Sequence, residues 1–141
     1  MVSKDTDRYE WMRETAQHLR DDELAQLDPV AMADWFDEVS NSDRREVISR
    51  LRCIIEHRLK LDHVTGPELE RNRRGWDVTL IEQTEQLEGI FEESPSLRRH
   101  LTAELLAKAY ASVRRSVVKA YGINPPAECP YSYSQLLEEG K

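Results

Sequence analysis

Long apolar runs are absent from this sequence of 141 residues, and it contains only two cysteines. No stretch approaches the roughly 18 consecutive apolar residues that a membrane-spanning helix needs. The first residues also lack the apolar core of a signal peptide. Cys53 and Cys129 stand far apart and outside any C-x-x-C motif, which predicts reduced thiols rather than a zinc site or a redox pair. These absences predict a cytoplasmic protein without a membrane span.

The alternation of apolar and polar residues that is typical of strands is absent too, and helical periodicity takes its place. Asp28 followed by Pro29 predicts the N-cap and first position of a second helix, with Trp35 at the edge of its apolar face. The residues predicted to face inward are Tyr9, Met12, Ala16 and Leu19 in the first helix, and Met32, Phe36 and Val39 in the second.

Three further helices are predicted from start and stop signals. Asp43 and Glu46 form a capping pair that opens the third helix, and Gly66-Pro67 is predicted to end it. A charged connector, ELERNRRG, leads to the fourth helix. Ser94-Pro95 is predicted to open the fifth and longest helix, which Gly122 terminates.

The segment NPPAECPYSYSQLL cannot continue that helix because of its prolines, and it carries a second start signal. Ser132 and Gln135 have the spacing of a capping box, flanked by Tyr131 and Leu136 as a hydrophobic staple. Cys129 has no basic or histidine neighbour to activate it, which favours a structural role over a nucleophile. The predicted fold is all-α, a single compact bundle of about five helices plus a short docked C-terminal helix, in one domain over residues 1–141.

The net charge of −7 is unevenly distributed. Residues 1–43 and 75–93 are acidic, whereas residues 44–74 and 94–119 are basic. This alternation predicts helices that attract their neighbours, and the acidic total does not favour a nucleic-acid partner. A nucleic-acid binder would have to use a local basic face, comprising Arg71, Arg73, Arg74, Arg114 and Arg115.

No metal site or cofactor is predicted. None of the four histidines, among them His57 and His63, has a zincin or di-iron spacing. Asp34, Asp37 and Glu38 have the spacing of one helix face and could hold a hard cation, but a solvated acidic face is the favoured interpretation.

Polar residues on the third and fourth helices are candidates for a functional site. His57 and Lys60, with Glu82 at a distance, are candidates for acid–base catalysis, and the alternative is a structural histidine with a lysine lying over apolar surface. A further four candidates fall within apolar arcs and either line a ligand pocket or support packing: Arg58, Asp62, Trp76 and Gln83.

Trp11 is predicted to lie on the polar face of the first helix, beside His18. Such a residue is either covered by another part of the chain or offered to a partner, because tryptophan is enriched in interface hot spots. Trp11, His18 and Trp35 are therefore candidates for contact with a protein partner or a second copy.

Several phrases along the chain resemble a bacterial family recorded as domain of unknown function twenty-nine. They are Tyr9-x-Trp11, Ser42-x-x-Arg45, His57-x-x-Lys60, Trp76-x-x-Thr79-x-x-Glu82-Gln83, Ser94-Pro95-Ser96-Leu97, Tyr110, Cys129-Pro130-Tyr131 and Leu136-Leu137. The resemblance implies a small, helical, single-domain protein and no particular activity. Two functions stay open: a protein–protein interaction or regulatory module, and an enzyme or small-ligand binder around His57, Lys60, Trp76, Glu82 and Gln83.

Overall fold

The computed structural model describes residues 2–138. Its α-helices are α1 (Arg8–Arg20), α2 (Pro29–His63), α3 (Gly66–Glu93), α4 (Ala103–Tyr121) and α5 (Tyr133–Glu138). Short 3-10 helices occupy Leu24–Gln26 and Pro95–His100. No strand occurs among the described residues, so the all-α prediction is confirmed. None of the helices in this part of the chain is long and apolar enough to cross a membrane.

The chain divides into two compact units, Met1–Ser42 and Asp43–Lys141, and the division falls within α2. The first unit buries few side chains. The second contains an apolar core contributed by α2, α3, α4, α5 and the 3-10 helix Pro95–His100. This core comprises Val47, Leu51, Ile54, Ile55, Leu59, Leu80, Leu87, Phe91, Leu97, Ala109, Tyr110, Val113, Val117 and Leu136. The single domain over residues 1–141 stays a prediction.

The predicted break before Asp43 is wrong, because α2 is one helix of 35 residues and not two. No glycine or proline interrupts it after Pro29. Ser40 Oγ donates to the Asp37 carbonyl at 3.0 Å, a bond that serine makes within a continuing helix. Glu46 pairs forward with Arg50. The sequence therefore contains a capping signature at Asp43 and Glu46, but these residues lie inside a continuous helix. The longest helix is α2 and not the predicted fifth helix.

The predicted connector is also helical. Gly66 begins α3, with a φ of +71° that glycine adopts without steric penalty, and Pro67 occupies the first turn, where it is tolerated. The glycine–proline pair thus starts a helix as well as ending the previous one. The residues after it are mostly Glu, Leu and Arg, which are good helix formers.

The start of α4 lies later than predicted. Pro95 opens a 3-10 helix, and the α-helix begins only at Ala103, where Thr102 Oγ1 accepts a hydrogen bond from Leu105 N at 3.1 Å. Its predicted end is confirmed: Gly122 adopts the left-handed conformation with a φ of +65°.

The first unit turns different faces inward from those predicted. In α1 the buried residues are Trp11 and Thr15, whereas Tyr9 is 69% exposed. In α2, Phe36 is 64% exposed and Val39 is also exposed. The expectation that Tyr9, Leu19, Phe36 and Val39 face inward is therefore wrong, and this unit presents apolar side chains to solvent.

Candidate functional sites

Lys60 is buried between two aromatic rings of the second unit. Its Nζ lies 4.8 Å from the centroid of the Trp76 ring and 5.5 Å from that of Tyr121, and the rings meet edge to face. Glu56 Oε2 is 3.8 Å from the same Nζ. Cation–π attraction and the carboxylate together stabilise the ammonium group. These contacts favour the structural interpretation of Lys60.

His57 is fixed by its own helix. Its Nδ1 donates to the Cys53 carbonyl at 2.9 Å, so in the neutral ring the proton lies on Nδ1. Cys53 Sγ is 3.6 Å from that same nitrogen, which therefore cannot accept the thiol proton. Burial raises the pKa of the Cys53 thiol, and the negative charge of Glu56 raises it further. The geometry is not that of a thiolate–imidazolium pair.

Gln83 contacts Arg50, a residue that was not among the predicted site residues. Arg50 Nη1 donates to Gln83 Oε1 at 3.1 Å, while Arg50 Nε and Nη2 donate to Glu46 Oε1 at 3.1 and 2.9 Å. The Glu46–Arg50 spacing does predict a helix ion pair. Nothing local indicates the contact with Gln83, which lies 33 positions away. Glu82 is exposed and forms no hydrogen bond or ion pair with the described residues.

Arg58 and Asp62 form the predicted helix pair, with Arg58 Nε 3.4 Å from Asp62 Oδ2. Tyr131 Oη donates to the same carboxylate oxygen at 2.6 Å. Burial raises the pKa of Tyr131 strongly, as do its hydrogen bond to Asp62 and the negative charge of that carboxylate. This cluster joins α2 to the segment before α5, which favours the packing interpretation of Arg58 and Asp62.

Two of the candidates, His57 and Lys60, share a neighbour, because Glu56 Oε2 lies 3.6 Å from His57 Nδ1 and 3.8 Å from Lys60 Nζ. Gln83 and the Arg58–Asp62 pair have other partners. Four of the cavities among the described residues have volumes of about 240–410 Å³, and none of these four is lined by His57, Lys60 or Gln83.

Cys129 belongs to a segment that is hydrogen-bonded to α4. Tyr110 Oη donates to the Pro126 carbonyl at 2.5 Å, and the Arg114 guanidinium donates to the carbonyls of Pro125 and Pro126 at 2.9–3.1 Å. Cys129 Sγ donates to the Tyr131 carbonyl at 3.4 Å, and burial raises the pKa of its thiol. These contacts support the structural role predicted for Cys129. They also engage Arg114, one of the residues of the alternative basic face.

The first unit contains an apolar groove between α1 and the start of α2. Its volume is about 240 Å³. Phe36 and Leu19, which is 47% exposed, lie at its surface. The groove is lined by Trp11, Met12, Thr15, Ala16, Leu19, Met32, Trp35 and Phe36.

An acidic cavity of about 410 Å³ adjoins this groove, because Trp11 lines both. Asp5, Asp34 and Lys4 line the acidic cavity, and Lys4 is paired with Glu38. The carboxylates of Asp5 and Asp34 form no hydrogen bond or ion pair with residues 2–138. Asp28 lies there as well but caps α2, its Oδ1 accepting from Ala31 N at 3.1 Å.

The three predicted interface residues lie close to the groove with different exposures. Trp11 is only 3% exposed and is covered by other residues of the chain. Trp35 is half-buried in the groove, with the Arg8 guanidinium 5.2 Å from its ring centroid. His18 is half-buried too, with its Nδ1 3.8 Å from Glu23 Oε1. Sequence periodicity did not identify Phe36 as a surface residue.

The acidic face of α2 shows no arrangement for a cation. Glu38 Oε1 accepts a hydrogen bond from Lys4 Nζ at 3.1 Å. No group of three or more His, Cys, Asp or Glu side chains within residues 2–138 is placed to hold a metal ion.

Comparison with known proteins identifies the family but no activity. The family model described as "Domain of unknown function DUF29" matches residues 4–140. No curated protein and no solved structure matches the chain. Since the matched region covers nearly the whole sequence, the chain belongs to the DUF29 family.

Proposed function

We propose that the protein is a protein–protein interaction module whose first unit binds a basic, amphipathic peptide segment of its partner. The observation that carries this proposal is the apolar groove with Phe36 and Leu19 exposed at its surface. Exposed apolar clusters of this kind are typical of interaction sites.

Charge supports a basic partner. The first unit, Met1–Ser42, contains 4 basic and 11 acidic residues, so the whole net charge of −7 lies in it. The carboxylates of Asp5 and Asp34 are unpaired beside Trp11, next to the groove. An apolar side chain of the partner would pack in the groove, and an adjacent Lys or Arg would pair with the carboxylates of the acidic cavity.

The proposal does not extend to catalysis. The contacts of His57, Lys60 and Gln83 support a structural role for each of them. We also propose the bacterial cytoplasm as the location, since both cysteines are free, which is typical of a reducing compartment.

A peptide-display selection on the intact protein tests the proposal. We expect the selected peptides to carry Lys or Arg next to large apolar residues. Phe36→Glu should weaken their binding by at least about tenfold, as for a residue central to an interface. Ile81→Glu is the matched control, because Ile81 is an exposed apolar residue of the second unit and the charge change is the same.

A second pair of variants tests the charge requirement. The double variant Asp5→Asn with Asp34→Asn should weaken binding of the same peptides. The control Asp77→Asn with Glu85→Gln, which changes two exposed acids of α3, should leave their binding unchanged. The proposal would be overturned if the selected peptides were acidic, or if Phe36→Glu and Ile81→Glu weakened peptide binding equally. It would also be overturned by sedimentation showing that Phe36→Glu dissociates an oligomer, because the groove would then bind a second copy.

A further inference from the structure

The second unit contains a cavity that is separate from the groove of the first unit and from the contacts of His57, Lys60 and Gln83. It has a volume of about 290 Å³ and lies among α2, the 3-10 helix Pro95–His100 and the start of α4. Its apolar lining is formed by Val47, Ile48, Leu97 and Leu105. Cavities that bind small molecules start at about this size, about 300 Å³, and are mostly apolar with a few polar groups.

Basic side chains line the same cavity. Arg44, Arg99 and His100 come from two different elements, and all three are exposed. None of them forms a side-chain hydrogen bond or ion pair within residues 2–138. By contrast, the neighbouring Arg98 lies over the Phe91 ring, 4.6 Å from its centroid. The guanidinium groups at the cavity are therefore available to a ligand.

The acidic residue of this cavity is already paired. Glu104 Oε1 lies 3.1 Å from Lys108 Nζ, so its charge is compensated on its own helix. Thr102 Oγ1 accepts from Leu105 N, which leaves its hydroxyl hydrogen able to donate. The cationic side chains without a partner among the described residues that could hold an anion at this cavity are therefore Arg44, Arg99 and His100, with the Thr102 hydroxyl as a neutral donor beside them.

We infer that this cavity binds a small amphipathic anion, an organic carboxylate or phosphate monoester with an apolar body. The apolar body contacts Leu97 and Leu105, and the anionic group accepts hydrogen bonds from Arg44 and Arg99. A guanidinium binds such oxygen pairs in a bidentate manner. An uncharged apolar ligand would leave these cations without a counter-charge. A small inorganic anion would leave the apolar lining in contact with water.

Titration of the full-length protein with octanoate and octyl phosphate, followed by NMR chemical shifts and calorimetry, tests this inference. We expect saturable binding, with shifts centred on residues 44–48 and 97–105. Octylamine, which has the same chain and the opposite charge, should not bind. Inorganic phosphate, which lacks the chain, should bind more weakly than octyl phosphate by at least about tenfold, as expected when apolar burial is lost.

Two double variants with equal charge change complete the test. Arg44→Gln with Arg99→Gln should weaken octanoate binding by at least about tenfold, because a charged hydrogen-bond donor is lost at each position. Arg71→Gln with Arg73→Gln, exposed arginines of α3, should change it less than about twofold, the scale of screened surface charge. Equal loss in both variants, equal binding of octylamine, or binding only to anionic vesicles and not to octanoate would overturn the inference.

Discussion

Tyr131 forms one of the shortest side-chain contacts in the chain, donating to a carboxylate 69 positions away. Its raised pKa has a definite consequence for stability. A phenol whose pKa is higher in the folded than in the unfolded protein stabilises the fold while it is protonated, and this contribution declines as the pH rises above the unfolded value, about 10.

We therefore expect Tyr131→Phe to lower the free energy of unfolding by about 1 kcal/mol at pH 8, the net value of a hydrogen bond. The difference from the wild type should shrink above about pH 10, because only the wild type then loses the Tyr131 contribution. Urea unfolding at pH 8 and at about pH 10.5 measures it. Tyr9→Phe is the control, since Tyr9 is exposed. A difference that stays constant between the two pH values would contradict this assignment.

Individual side chains also show where sequence periodicity fails. The apolar stripe from Tyr9 to Leu19 predicts one inward face for α1, yet Trp11 is the residue that is buried. The indole has the largest apolar surface to remove from water, so it outweighs a stripe containing a small alanine and a tyrosine with a polar tip. The contacts Arg50–Gln83 and Tyr131–Asp62 cannot be read from local sequence at all, because they join distant helices.

At the scale of the helices, capping signals predicted some boundaries and not others. Asp28-Pro29, Gly122 and Ser132 mark ends that the structure confirms. The Asp43–Glu46 pair marks no end, because its residues are equally compatible with a helix interior. A cap is decisive where glycine or proline also changes the backbone, as it does at Gly122. Where neither is present, packing of the following residues decides whether the helix continues.

The capping box of α5 gives a prediction for a single helix. Gln135 N donates to Ser132 Oγ at 3.2 Å, and Ser132 N donates to Gln135 Oε1 at 2.9 Å. Ser132→Ala should cost about 1 kcal/mol of unfolding free energy, measured by denaturant titration. Ser134→Ala is the matched control within the same helix, because Ser134 is exposed and its side chain forms no hydrogen bond within the described residues.

Deletion of residues 130–141 should cost more than Ser132→Ala, because Leu136 is buried in the core of the second unit and Tyr133 Oη donates to the Thr102 carbonyl. An unchanged melting temperature after this deletion would show that α5 contributes nothing to stability.

At the scale of the whole molecule, burial and charge are divided between the two units. Only Trp11 and Thr15 are buried among residues 2–42, whereas the second unit contains the apolar core. The second unit has 16 basic and 16 acidic residues, so it is neutral while the first is acidic. The unit that we propose for partner binding is thus also the one with fewer buried side chains, as is common for binding elements.

Hydrogen exchange along α2 tests this division within one continuous helix. Residues 30–40 belong to the first unit, and residues 47–59 contribute five side chains to the core of the second. After correction for intrinsic rates, we expect the amides of residues 33–40 to exchange at least about a hundredfold faster than those of residues 51–59, because local opening costs less free energy where fewer apolar contacts are lost. The two segments share helical hydrogen bonding, so each serves as the control for the other. Uniform protection along α2 would contradict this expectation and would instead support a single domain over residues 1–141. A basic peptide bound in the groove should slow exchange in residues 33–40 and leave residues 51–59 unchanged, since binding stabilises only the unit that holds the ligand.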